Sequence, residues 1–595
     1  STTSTTRTTM ASSSSYSLSD LEDVKMFCFQ CEQTLLGKGC TTKGVCQKNA
    51  DVAALQDYLL YAVEALCAVA YTARERAGVV LDKDVQRLIV EAVFCTLTNV
   101  CFTEAEVLEY AETCNQRREE LLKRVRAAGV EDAVMPLGRE FRHFTDATAA
   151  KEFAKSNLQI PLSMHKLGMD KACIREMLMY GIKGTAAYTF HAMILGEPCD
   201  DVVNRLVDYL GHEMHREDAT ESDYWGLCLD CGKTNFAAME HLDRANTNSY
   251  GMPEPTVVQW ITDPEEGSTH PGKAILVSGH DLLELKTLLD QTAGTGVQVY
   301  THGEMLPCNA YPKLKEYPHF AGHYGTAWQN QRREFLAFPG PVLMTTNCYI
   351  PAPDSYVDKM FACMPVAGVN VHRVLNNNYS ELIAMAQKFP GFGPRKHPEA
   401  TTTESTGKPT TLLIGFAHDT VLKNAGAVVD AVKAGALKRI YLIGGCDGVE
   451  KERNQYTELA ALLPQDTLIL TLACGKFKIN GSTYGTLPGT KLPRLMDMGQ
   501  CNDAFSALRV ATALCDALHV PLAELPLTLV LSWFEQKAVC ILLTLLHLGI
   551  KGIYLGPRKP AFVTDTMLQF LAQNFDLRLF TDAHKTLVDT HKAEP

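Results

Sequence analysis

No apolar run in this chain approaches the roughly 20 residues that a membrane-spanning helix needs. The longest stretch, Cys540 to Leu546, is cut off by His547, so membrane insertion is not expected. Basic clusters are missing as well. With a formal net charge of −12 the chain lacks the Lys/Arg footprint that holds phosphate backbones, which argues against nucleic acid as a partner. Its 20 cysteines in 595 residues are too sparse for a disulfide scaffold. Cys67, Cys95 and Cys173 fall within apolar helical segments, where a free thiol packs as a small hydrophobe. A reducing compartment fits, and the remaining cysteines need another explanation. Nor is there a nucleotide fingerprint: GGCDG lacks the G-x-G-x-x-G spacing, so electrons for any redox chemistry are expected from a separate protein.

What is present reads as several domains. Residues 1–25 form an extension that begins STTSTTRTTMASSSSYSLSD, with Arg7 and no acid before Asp20. That composition suits an organellar transit segment or a plain disordered tail, and the expected localisation is cytoplasmic or, with a transit segment, plastid or mitochondrial. From Asp51 to about Ala245 apolar residues recur at three and four, the helical period, and Thr103 with Glu106 spells a capping box. Beyond NTNSYGMPEP short apolar runs alternate with helices, which points to parallel sheets. The expected fold is multidomain α and α/β: a helical bundle at 26–255, then two Rossmann-like α/β domains with parallel sheets at 256–408 and 409–595. Their boundary lies in the Pro/Gly/Thr-rich stretch from Phe389 to Thr411, after which TLLIGFAHD opens the last βαβ series.

The sharpest chemical signal is CFQCEQTLLGKGCTTKGVC, where Cys28, Cys31, Cys40 and Cys46 are spaced C-x2-C-x8-C-x5-C. Four thiolates gathered by a short, Gly-containing loop make a soft site for an iron–sulfur cluster or zinc. Structural zinc usually pairs two tight C-x2-C knuckles, and the wider second spacing here favours iron–sulfur. A second C-x2-C, Cys228 and Cys231 in WGLCLDCG, has no further pair nearby and reads as two unligated thiols.

A more scattered signal lies at the strand ends. Apolar runs finish in a possible metal ligand at His280, Glu304, Cys348, Cys446, Cys474, Cys501 and Glu535, the carboxyl ends where open α/β sheets bind ligands. Taken singly, such a residue is more often a helix cap or a satisfied core group. A buried unpaired carboxylate costs several kcal/mol, however, and a metal cluster would neutralise both glutamates. Thiolate, imidazole and carboxylate together suit a cluster with sulfur-bridged and oxygen-bridged iron.

From Met26 to the C-terminus the chain closely resembles the hybrid-cluster proteins, also called prismane proteins or hydroxylamine reductases. The resemblance rests on FCFQCEQT, GIKGTAAYTFHA, SGHDLLEL, YTHGEMLP, EFLAFPGPVLMTTNC, IGGCDG, DMGQCND and SWFEQKAV. It implies that Cys28, Cys31, Cys40 and Cys46 bind a 4Fe-4S cluster. It also implies that the seven strand-end residues ligate a hybrid iron–sulfur–oxygen cluster of 4Fe-2O-2S type at the domain junction, with Cys446 as the persulfide position. The activity implied is two-electron reduction of hydroxylamine, and nitric oxide reduction has been attributed to such proteins. A ferredoxin or flavoprotein would be the donor. Lys537 and His302, two residues from Glu535 and Glu304, are candidate proton donors. Two other readings stand beside this one, a nitric oxide sensor or S-nitrosylating factor and a nickel carbon monoxide dehydrogenase. The two glutamates and the single four-cysteine loop favour the hybrid cluster over the last.

Overall fold

The computed structural model describes Leu21 and residues 24–446, 454–556 and 558–591; the Ser/Thr-rich residues 1–20, read above as a transit segment or a plain tail, lie outside the described residues. The helical region starts with Ala50–Ala77, whose first turn is capped by the Asn49 side chain accepting from the Val52 N–H at 2.7 Å. Length and composition would let this helix cross a membrane, but Leu55, Leu59, Val63 and Leu66 are buried against the helices Glu104–Ala127 and Asp200–Gly211. It is the core helix of the bundle. Thr103 does precede Glu104–Ala127, but the expected capping box does not form. No side-chain cap is made there, the Thr103 hydroxyl lies 3.6 Å from Cys101 Sγ, and Glu106 is drawn into an ion pair with Arg373 at 2.7 Å. A tertiary partner outcompetes the local motif.

Met169–Ile194 and Glu221–Tyr250 pack together, and the later helix Gln536–His547 packs against both of them. The close approach depends on Gly184, where a Cβ would lie 2.4 Å from the Gln536 carbonyl oxygen. This crossing fixes the start of Gln536–His547, and so Glu535, against the bundle. Cys228 and Cys231 are fully buried in the same interface; Cys228 Sγ lies 3.7 Å from the Ile174 carbonyl and Cys231 Sγ 3.9 Å from the Thr185 hydroxyl.

Two sheets follow. The first contains β1 (Thr256–Ile261), β2 (Lys273–Ser278), β3 (Val297–Thr301), β4 (Phe320–Tyr324), β5 (Val342–Met344), β6 (Met360–Ala362), β7 (His372–Arg373) and β8 (Thr411–Ile414), in the order β7-β6-β5-β2-β3-β4-β1-β8. The second contains β9 (Arg439–Gly445), β10 (Thr467–Thr471), β11 (Leu495–Asp497), β12 (Leu527–Ser532), β13 (Ile553–Gly556) and β14 (Arg578–Leu579), in the order β11-β10-β9-β12-β13-β14. All pairings are parallel except β1 with β8. That exception corrects the expectation that TLLIGFAHD opens the last βαβ series: β8 is an antiparallel edge of the first sheet. Its exposure alternates residue by residue, and such a half-buried pattern marks a strand without saying which sheet it joins.

Candidate metal centre

The outer site is the four-cysteine loop. Cys28 and Cys40 face each other in an antiparallel bridge, exchanging N–H to O bonds of 3.1 and 2.8 Å. Burial pushes the Cys28 thiol up to about 11, against the pull of Lys48, and the charges of Cys46 and Cys40 add to the rise. The Cys31 thiol is likewise raised, by burial first and then by Cys46, Cys28 and Cys40. Each of the other three is therefore close enough to act on Cys31. Four thiols in mutual range, with burial at Cys28 outweighing the pull of Lys48, are what a metal cluster would neutralise.

The inner site is built from strand ends. Each of the seven residues comes one to four positions after a strand: His280 after β2, Glu304 after β3, Cys348 after β5, Cys446 after β9, Cys474 after β10, Cys501 after β11 and Glu535 after β12. In the first sheet β5, β2 and β3 are neighbours; in the second β11, β10, β9 and β12 are. Strand order reverses between β2 and β5 and between β9 and β12, so His280 and Cys348 flank one switch point and Cys446 and Glu535 the other. Donor atoms of His280, Glu304 and Cys501 lie within 4.8 Å of one another, with His280 Nε2 3.9 Å from Glu304 Oε2. Glu535, Cys501, Cys348 and Glu304 all act on the buried Cys446 thiol, and Glu304, Cys348 and Cys446 act on Cys474. The structure thus places His280, Glu304 and Cys501 in mutual ligand range and Cys348, Cys446, Cys474 and Glu535 in electrostatic range of that group.

The backbone turns sharply to make this happen. Gly445 has φ of 108°, and a Cβ there would lie 1.9 Å from the Ser532 carbonyl oxygen. Cys348 (φ 66°) and Ala473 (φ 62°), the latter just before Cys474, adopt positive φ without being glycine. That conformation costs about 1–2 kcal/mol per residue and clusters where function requires it.

Electrostatics supply the test of fit for a metal group. Burial raises Glu304 in spite of Lys476, and raises Glu535 in spite of Lys537. Burial also lowers His280, keeping a neutral imidazole, and lifts Cys348, Cys446, Cys474 and Cys501. Glu304 Oε1 and His280 Nδ1 are buried with no hydrogen-bond partner among the described residues. Orphaned donors of this kind in an anionic pocket fit an iron–sulfur centre. Glu535 also does what a strand-end glutamate ordinarily does, capping the next helix by accepting from the Lys537 N–H at 3.2 Å.

Lys537 and His302 part company. The Lys537 ammonium is fully buried and donates to Asn347 Oδ1 at 3.0 Å and Asn502 Oδ1 at 3.1 Å, beside Cys348 and Cys501. His302 has both ring nitrogens engaged, with Ser278 Oγ at 3.0 Å and Glu334 Oε2 at 2.9 Å. Its partners are none of the seven, and it braces the turn that carries Glu304. Asn347 and Asn502 escaped the sequence reading, although each is adjacent in the chain to a ligand cysteine. So did Gln500, whose Nε2 donates to the Glu304 carbonyl at 2.5 Å, and Lys476, which pairs with Asp497 at 2.7 Å.

A cavity of about 640 Å³ opens beside Cys28, lined by Asp57, Glu64, Arg175, Glu176 and Lys183 among others. Burial pushes the Asp57 carboxyl up to about 7, against the pull of Lys183. This exceeds the unfolded value of about 4, so the cost of ionising Asp57 in the folded state is small at low pH. It grows as pH rises and levels off above about 7. The stability advantage of Asp57→Asn over the wild type should therefore increase by about 2 kcal/mol between about pH 5 and pH 8, measured by urea unfolding. An advantage that does not change with pH would place Asp57 in free contact with water.

A model of the Prismane/CO dehydrogenase family matches residues 26–587. The hydroxylamine reductase of Maridesulfovibrio salexigens is 46% identical over 553 residues, covering 93% of this chain and 97% of that protein. That of Methanocella arvoryzae is 44% identical over 562 residues, covering 94% and 99%. Among solved structures, carbon monoxide dehydrogenase IV from Carboxydothermus hydrogenoformans matches with a TM-score of 0.52 at 13% identity, over 94% of this chain and 92% of that one. Carbon monoxide dehydrogenase from Thermococcus sp. AM4 matches with 0.51 at 15% identity, over 95% and 91%. Likeness at such low identity speaks for the fold alone.

Proposed function

Because this chain belongs to the prismane/CO dehydrogenase family, we propose that it is an iron–sulfur oxidoreductase reducing hydroxylamine to ammonia and water, with two electrons and two protons consumed per turnover. The observation that carries this reading is the meeting of His280, Glu304 and Cys501 within 4.8 Å of one another, with Cys348, Cys446, Cys474 and Glu535 facing that group from neighbouring strand ends. The curated relatives are named for this activity. In finer detail, Cys28, Cys31, Cys40 and Cys46 would hold a 4Fe-4S cluster and the inner seven a hybrid iron–sulfur–oxygen cluster of 4Fe-2O-2S type.

When bound, that inner cluster would supply the electrons and an open, oxygen-ligated iron to which an N–O compound can bind. The chain supplies the rest. Two N–H groups of the Lys537 ammonium are fixed by Asn347 and Asn502, which leaves the third to donate a proton to a small substrate. The rings of Phe94 and Tyr188, centred 5.8 and 5.5 Å from Nζ, help keep water from the ammonium. A cavity of about 90 Å³, lined by Leu442, Leu508, Leu529 and Ile541, reaches Cys446, Cys501 and Lys537. Its size and apolar walls suit a small neutral molecule such as hydroxylamine. They suit nitric oxide equally, which keeps a nitric oxide role at the same site as the second reading.

Anaerobically purified protein should contain iron and sulfide for two centres, give two sets of EPR signals and reduce hydroxylamine with reduced viologen. Stoichiometric nickel, or iron without turnover, would overturn the assignment. Nitric oxide transfer to an acceptor protein's thiols without net reduction would favour the second reading. For Lys537→Met, turnover should drop about a hundredfold, the lower range for losing a positioned acid, with iron and sulfide content unchanged. Wild-type turnover in that variant would leave Lys537 as a mere counter-charge to Glu535.

A further inference from the structure

Cys95 and Cys101 lie outside both centres and within reach of each other. Cys95 ends the helix Lys83–Cys95, and Cys101 forms a parallel bridge with Ala367. Both are fully buried, and their side chains hydrogen-bond to one another. Cys101 Sγ also lies 3.6 Å from the Thr103 hydroxyl and 3.7 Å from the Thr103 carbonyl. The hydroxyl can donate to a thiolate at Cys101, which settles where a charge shared by the pair rests. Cys95 first, and Thr103 after it, pull the Cys101 thiol down against burial, while Cys101 and burial lift Cys95. The buried thiols of Cys114, Cys228, Cys363 and Cys540 are all raised instead. A thiol of lowered pKa beside a second thiol makes a nucleophile with a resolving partner.

The pair can be reached. A cavity of about 480 Å³ is lined by Phe102, Thr103, Glu104, Ala367 and Arg373 among others. Cys101 stands directly behind that wall, its sulfur against Thr103 and its backbone bridged to Ala367. Side chains this closely set admit a small neutral oxidant when the wall opens locally, and exclude a bulky disulfide. Hydrogen peroxide meets that requirement.

The loop that the pair encloses, Thr96 to Val100, is bonded to the neighbours of both centres. The outer loop meets the inner site where the Glu32 N–H donates to the Phe534 carbonyl at 2.9 Å and Gln536 Nε2 donates to the Gln30 carbonyl at 2.9 Å. The Thr98 N–H donates to Gln536 Oε1 at 3.2 Å, and the Tyr349 N–H donates to the Asn99 carbonyl at 3.1 Å. Lys183 Nζ, held by Gln30 Oε1 at 3.0 Å, reaches the Thr96 carbonyl at 3.4 Å. One short loop therefore touches residues beside Cys31, Cys348 and Glu535. We infer that Cys95 and Cys101 are a peroxide-oxidisable dithiol whose disulfide reshapes this loop and reversibly slows turnover. The Cys101 thiolate attacks a peroxide oxygen, the O–O bond breaks, and hydroxide leaves as the sulfenic acid forms. The Cys95 thiol then displaces that oxygen as water. In sum two thiols and one peroxide give one disulfide and two waters, the sulfurs losing the two electrons that the peroxide gains. A covalent bond holds sulfurs far closer than a hydrogen bond does, so the stem of the loop contracts and strains its bonds to Gln536 and Tyr349. Formation of the bond is independent of the function proposed above, while its effect on turnover rests on that reading.

The test exposes the full, iron-loaded protein to a small molar excess of hydrogen peroxide, alkylates the remaining thiols and maps tryptic peptides by mass. The peptide 88–117, which carries Cys95, Cys101 and Cys114, should lose two hydrogens and be alkylated at Cys114 alone. Viologen-driven hydroxylamine turnover should fall about fivefold or more, the rate equivalent of one hydrogen bond lost. Dithiothreitol should restore both the thiols and the rate, which oxidative loss of iron would not permit. Cys95→Ala should keep the untreated rate and lose the part of the fall that dithiothreitol reverses. The dithiol is overturned if both thiols are still alkylated after peroxide, or if either bonds to another cysteine. A mapped Cys95–Cys101 bond with turnover unchanged overturns its action on the loop. Protein that never reduces hydroxylamine sinks the proposed function and the effect on turnover together, while a mapped bond would still uphold the dithiol.

Discussion

Cys446→Ala should lower hydroxylamine reduction by on the order of a thousandfold, about 4 kcal/mol of transition-state stabilisation, while leaving the four-cysteine centre assembled. Cys446 follows β9 directly, its N–H donating to the Ser532 carbonyl at 3.2 Å, so the backbone there is held by main-chain bonds that alanine keeps. The turn is set by Gly445, not by the thiol. Removing Sγ leaves no buried charge, and a change of this kind in the core costs about 1 kcal/mol. The fold should therefore survive. The thiol itself sits where Glu535, Cys501, Cys348 and Glu304 all act on it, and the apolar cavity ends on it. Its loss would remove one of the two candidate donors, with Cys501, that line the cavity. Single-turnover assays with EPR of both centres would decide the matter, and a variant that turns over at the wild-type rate would reduce Cys446 to an ordinary packing thiol and weaken the seven-donor assignment.

Cys31→Ser should abolish the outer centre's signals and slow electron arrival at the inner one by more than about a hundredfold. Cys31 shares an apolar cluster with Cys474 and Phe534, so on the proposed reading it would be both a ligand and the outer-loop residue that adjoins the inner site. Serine supplies a harder, more basic donor that thiophilic iron holds poorly. The inner seven are untouched and should assemble. Stopped-flow reduction of each centre, followed at its own absorption, measures the effect. Loss of both centres together would mean that they form one unit, and normal reduction of both would exclude Cys31 from the path.

The two sites were legible in the sequence to different degrees, for a physical reason. A loop of four cysteines within 19 residues, Cys28 to Cys46, closes on itself, so spacing alone says that the thiols can meet. The inner seven are scattered from His280 to Glu535. Each shows itself only as a polar residue at the end of an apolar run, and the parallel order of two sheets is what makes those ends converge. Long-range choices were not legible: that β8 pairs with β1, that Glu106 prefers Arg373 to its own helix cap, or that His302 faces Glu334. Each is decided by a partner at least 32 residues away in the chain. Asn347 and Asn502 left a weak trace, since both adjoin ligand cysteines, but only the buried Lys537 gives them a purpose.

The Glu32 to Phe534 hydrogen bond has a consequence for how the molecule comes into being. A ribosome delivers Cys28 to Cys46 well before Phe534, so the outer loop is exposed before the surface it rests on exists. The inner pocket is incomplete until Glu535, the last of the seven in chain order, has emerged. On the proposed reading, iron delivery to the inner site is thus deferred until Glu535 has been made. By then the chain carries eight candidate ligand cysteines, whose thiols would have to stay reduced, which would tie maturation of the inner site to reducing conditions.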